Sequence, residues 1–75
     1  MKVYVLAACS NEENRKSEVF TTKEKAVAKM KAYCKEAEEK YMSAIFSVEV
    51  FDESAEIIYL DDTYEVYEVF EVEVQ

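Results

Sequence analysis

This sequence contains no glycine, no proline, no histidine and no tryptophan. Each absence excludes something. Without glycine there is no P-loop and no dinucleotide-binding fingerprint, because both need a backbone that lets phosphate approach closely. Tight turns with positive φ must then use Asn or Asp, which tolerate that conformation best. Without histidine the chain lacks the commonest general base near neutral pH and the commonest metal ligand. Cys9 and Cys34 are too few for a disulfide framework, and their spacing fits no zinc signature. No apolar run reaches the length of a membrane span, and the apolar start at residues 3–9 is too short for a signal peptide. A reducing cytoplasmic compartment is the expectation.

Against these absences stands a chain of 75 residues, 51% of them hydrophobic. That suffices for one core, so residues 1–75 are read as a single domain. A domain of this size buries about 60% of the surface its unfolded chain exposes. It has no room for a large cofactor, and none is expected.

Residues 2–9 read as a strand, nearly continuous in apolar side chains and therefore central and covered on both faces. Residues 10–16 are polar and read as a loop, with a short strand over 18–21. Thr22 is a helix cap whose hydroxyl can accept a first-turn N–H. The helix is predicted from Lys23 to about Met42. Val27, Met30, Cys34, Ala37 and Tyr41 recur at spacings of three and four, and Ala26 and Tyr33 widen the stripe. Three period-two segments follow, over 44–51, 56–60 and 63–74. In the last, Tyr64, Val66, Phe70, Val72 and Val74 share one phase, which is expected to face the helix. Glu68 interrupts that phase and predicts a bulge near Tyr67. The fold class is α+β: one amphipathic helix on one face of a mostly antiparallel sheet, in the order β-β-α-β-β-β.

The charge map is lopsided. Net charge is −8, and all nine basic residues lie in the first forty positions. From Tyr41 onward there are only acids: Glu49, Asp52, Glu53, Glu56, Asp61, Asp62, Glu65, Glu68, Glu71 and Glu73. Read on the strands, these place negative charge on the face away from the helix and on its hairpin ends. Ile45, Phe51, Tyr67 and Val69 share the phase of the glutamates, so Phe51 and Tyr67 are candidate aromatic anchors among acids. Such a surface suits a basic protein partner, charges steering and aromatics anchoring the contact. Carboxylate rows about 6.6 Å apart along a strand could also imitate phosphates. Direct nucleic-acid binding is disfavoured because base-stacking sheets need a basic groove. The alternative is a structural module that pairs with a second copy through the open face or the long last strand.

Other chemistry is weakly marked. Cys34 reads as a core residue, and Cys9 lacks an activating neighbour, so neither suggests a nucleophile. Asp61, Asp62 and Glu65 do not have calcium-loop spacing, and turn formation explains the aspartates. Paired carboxylates carry no weight among so many acids, and no enzyme is expected.

The run Val19-Phe20-Thr21-Thr22-Lys23-Glu24-Lys25-Ala26, which enters an amphipathic helix after a first strand, resembles small proteins of phages and mobile elements. With the acidic sheet, the chain is similar in general character to the anti-CRISPR class. That resemblance implies an inhibitor that blocks a nucleic-acid-binding surface of an effector. It carries no motif that assigns a role to any single residue.

Overall fold

The computed structural model describes residues 1–10 and 15–75. Five strands and one helix follow in chain order: β1 (Lys2–Ser10), β2 (Arg15–Phe20), α1 (Lys23–Tyr41), β3 (Ile45–Val50), β4 (Ser54–Tyr59) and β5 (Tyr64–Glu73). A 3₁₀ turn, Met42–Ala44, links α1 to β3. The expected α+β class and element order are what the chain forms. The expected loop over 10–16 contributes Ser10, Arg15 and Lys16 to strands instead, and its middle, 11–14, lies outside the described residues. Strand β2 is longer than the sequence suggested.

All strand pairs are antiparallel, in the spatial order β2-β1-β5-β4-β3. Helix α1 carries the chain from one edge of the sheet to the other. Strands β1 and β5 pair along their lengths, from Lys2↔Glu73 to Ser10↔Glu65. That register runs unbroken past Tyr67, so the bulge expected there is absent. The irregularity lies in β3, between Ile45 and Ser47.

Helix α1 starts where the sequence said. Thr22 is extended, and its Oγ1 accepts from the Lys25 N–H at 3.3 Å. The helix buries Ala26, Met30, Cys34 and Ala37, residues four, four and three apart, which is one face. Three of the four are small, so the helix axis can lie close to the sheet. At 1.5 Å per residue α1 is about 28 Å long. Across from it the core is completed by Leu6 of β1, Ala55 and Ile57 of β4, and Tyr67 and Val69 of β5. Tyr33 stacks on Tyr67 with ring centroids 6.1 Å apart, and its hydroxyl donates to Glu18 at 2.6 Å.

This core reverses one expectation. The odd-numbered phase of β5 faces the helix, and the even phase faces away. Tyr67 and Val69 are buried, at 8% and 5% exposure, whereas Phe70 is 45% exposed. The register supplies the reason. Leu6 lies opposite Val69 and Ala55 opposite Tyr67, so these four residues must share a face. The even phase is the more apolar of the two in sequence, but it is not the one the helix covers. The same register leaves Val3, Val5 and Ala7 of β1 on the uncovered face, so β1 is central in the sheet yet covered on one side only.

Turns obey the glycine-free constraint. Asp62 takes φ = 69°, the left-handed conformation that glycine would otherwise supply. Asp61 braces the turn: its Oδ1 accepts from the Thr63 N–H at 3.1 Å and from the Thr63 hydroxyl at 2.6 Å. These bonds hold the Asp61 carboxyl below its usual range. Among the described residues, no helix is long and apolar enough to cross a membrane.

Candidate functional site: the helix-free sheet face

The register places the side chains of the uncovered face in rows. Val19, Val5 and Phe70 form one row across β2, β1 and β5, and Val3 with Val72 form the next. A third row holds Ser17, Ala7, Glu68 and Ser54. A fourth holds Cys9, Val66, Glu56 and Glu49. The face therefore carries a valine and phenylalanine patch over β2-β1-β5, an acidic diagonal through Glu68, Glu56 and Glu49, and beyond the diagonal a fifth row of Tyr64, Ile58 and Ser47. Val19 is 66% exposed, and no element among the described residues packs over the patch.

The ten carboxylates singled out by sequence fall into four settings. Glu49, Glu56 and Glu68 lie on the uncovered face. Asp52 and Glu53 sit in the β3–β4 turn, where Lys23 pairs with Glu53 and has its own pKa raised by that bond and charge. Asp61 and Asp62 occupy the β4–β5 turn at the opposite end. Glu65, Glu71 and Glu73 lie in the phase that faces the helix. Tyr67 donates to Glu65 Oε2 at 3.1 Å. Glu71 is 3.6 Å from Lys2 Nζ and accepts from the Tyr4 hydroxyl at 3.2 Å. Glu73 is 3.4 Å from the Met1 amino group. The structure thus brings three of the ten together and distributes the rest.

The aromatic anchors divide as well. Phe51 is exposed in the β3–β4 turn. Tyr67 is not an exposed anchor, because it is buried beneath Tyr33 of the helix. Val69 is buried with it, and Ile45 pairs with Tyr59 and packs against the core. The residues that sequence reasoning missed are Val3, Val5, Val19, Phe70 and Val72. Counting apolar residues along the last strand put its even phase toward the helix, and the Leu6–Val69 register reverses that.

Glu49 and Glu56 lie directly opposite each other, so their Cβ atoms are about 5 Å apart. At that distance two carboxylates repel by roughly 1 kcal/mol even at the dielectric of water. No lysine forms an ion pair with either among the described residues.

Both cysteines are free thiols, Cys9 exposed and Cys34 buried, and burial, with Glu38 and Glu65 next, pushes the Cys34 thiol up. Among the described residues, no group of three or more Cys, Asp or Glu could hold a metal ion. Comparison with protein-family models, with curated proteins and with solved structures finds no match to this chain.

Proposed function

We propose that this chain is a non-enzymatic binding protein whose helix-free sheet face seats on a partner that offers an apolar patch beside basic residues. The observation that carries this reading is the juxtaposition on that face of five uncovered apolar side chains, Val3, Val5, Val19, Phe70 and Val72, with three glutamates that form no ion pair among the described residues. A basic surface on a nucleic-acid-handling protein has the complementary chemistry. An effector of the CRISPR type is the candidate partner that the anti-CRISPR resemblance supplies.

A second copy fits less well. Three strands by two residue rows give the apolar patch an area on the order of 200 Å². A stable protein interface buries about 800 Å² per partner. A face-to-face homodimer would therefore have to bury the acidic diagonal too. Under a two-fold axis the glutamates would meet glutamates or lie unpaired on valines, and both arrangements cost stability. Lysine or arginine on a different partner removes that cost.

The test is capture of partners from cells that express the protein, comparing the wild type with an E49K/E56K/E68K variant. The variant should stay folded, since none of the three forms an ion pair among the described residues and the exchange at Glu49 and Glu56 replaces one like-charge pair by another. It should lose the partner, and high salt should weaken the wild-type complex. A helix-face variant, K29E/K35E, should keep it. Capture that the triple variant leaves unchanged would reject the reading. So would a tight wild-type dimer in sedimentation with no other partner.

A further inference from the structure

At one end of the sheet, the β4–β5 turn, the end of β1 and the C-terminal end of α1 enclose a cavity of about 630 Å³. That is within the range of small-molecule sites. Four of the six tyrosines of the chain line it: Tyr41, Tyr59, Tyr64 and Tyr67. Among the described residues its charged lining is Glu65 and Asp61 against one lysine, Lys16. Tyrosine rings present negative faces, which attract cations. Tyr41 already shows this, because the Lys40 ammonium sits 5.3 Å from its ring centroid.

The wall beside Glu65 holds unused polar capacity. The Tyr67 hydroxyl engages one Glu65 oxygen, but among the described residues no cation forms an ion pair with that carboxylate. The neighbouring Tyr59 hydroxyl is closed off from solvent and lies close enough to Glu65 to feel its charge, but among the described residues it completes no hydrogen bond of good geometry. Tyr41 meets the Tyr59 ring edge-on at 6.1 Å. Tyr41 is itself 44% exposed, so it forms the rim of the cavity.

We infer that this cavity binds small organic ammonium cations, the charged nitrogen held beside Glu65 and its apolar substituents set against the tyrosine rings. An anion is excluded by Glu65 and Asp61. A neutral apolar molecule would leave the Glu65 charge unanswered. An ammonium ion satisfies the carboxylate and the rings together, and turning the Tyr41 ring aside gives it access to the Tyr59 oxygen. The same chemistry is carried by a free alkylammonium and by a methylated lysine side chain.

The experiment is an amide NMR titration of the full chain with tetramethylammonium chloride. Sodium chloride at matched ionic strength and tert-butanol, a neutral molecule of similar shape, are the controls. Saturable shifts are expected at Thr63, Glu65 and Tyr67, with tert-butanol about tenfold weaker because the cation–π and ionic attraction is lost. E65Q should lower affinity by about tenfold, and Y41L, at the exposed rim, by severalfold, both with unchanged far-UV circular dichroism. A trimethyl-lysine peptide binding more tightly than tetramethylammonium would identify a side-chain ligand, and equal binding a free one. Equal affinity for tert-butanol, shifts no larger than sodium chloride produces, or wild-type affinity in folded E65Q would overturn the inference.

Discussion

Replacing Val69 with threonine, and separately Val72 with threonine, tests the register on which both sites rest. Threonine matches valine in shape and favours strands equally, so the exchange adds only a hydroxyl. Val69 is 5% exposed and packed between Leu6 and the helix, whereas Val72 is 36% exposed on the uncovered face. A hydroxyl buried without a partner costs roughly 1–3 kcal/mol. V69T should therefore lose about 2 kcal/mol and V72T less than about 0.5 kcal/mol. Total stability for a chain of this length is about 4–11 kcal/mol, so both variants remain folded and measurable. With a urea m-value of about 1 kcal/mol/M, the midpoint should fall by about 2 M in V69T and scarcely move in V72T. Far-UV circular dichroism and tyrosine fluorescence report the transition, since the chain has no tryptophan to obscure the latter. If V72T cost as much as V69T, the even phase of β5 would be the buried one, and the valine patch would not exist as a surface.

Two further outcomes follow from local chemistry. Asp62 holds the one positive φ among the described non-glycine residues, so D62G should keep or raise stability by up to about 1 kcal/mol and D62V should lower it by 1–2 kcal/mol, about the left-handed penalty; equal melting of both variants in thermal denaturation would contradict this. Burial, and then the Glu65 charge, push Tyr59 up to about 12, and the same causes raise Tyr67. The fold thus favours the neutral phenols. Their contribution is complete below the unfolded value of about 10 and is lost as pH rises through about 12 for Tyr59. The Tyr33 hydroxyl is raised as well, by its bond to Glu18. Ultraviolet titration of phenolate should therefore show three of the six tyrosines ionising late, Tyr59 and Tyr67 among them with loss of ellipticity, and uniform ionisation near pH 10 with the fold intact would refute it.

What the sequence made legible divides along a physical line. Local signals were sufficient for α1, because its cap, Thr22, and its buried stripe both lie within one segment. They were also sufficient for the order of strands and for the glycine-free β4–β5 turn. They failed where two phases of one strand compete. The even phase of β5 offers four apolar residues and one glutamate, and the odd phase offers two apolar residues among three glutamates, so counting favours the even one. Burial is decided by the partner strands and by the footprint of the helix. Tyr67 and Val69 lie opposite Ala55 and Leu6 and beneath α1, where an apolar pair is needed. Toward the ends of the same phase, Glu71 and Glu73 stay exposed and meet Lys2, Tyr4 and the Met1 amino group. The odd phase is thus core in its middle and solvated at one end, a pattern that period-two reading cannot express. One consequence bears directly on function. Valines that sequence reasoning assigned to the core are left uncovered beside glutamates, so the face turned from the helix is a mixed apolar and acidic surface. A purely electrostatic contact would need no such valines, and a purely apolar one would not place Glu49 against Glu56. Under the binding role proposed above, the fitting partner is one that satisfies both.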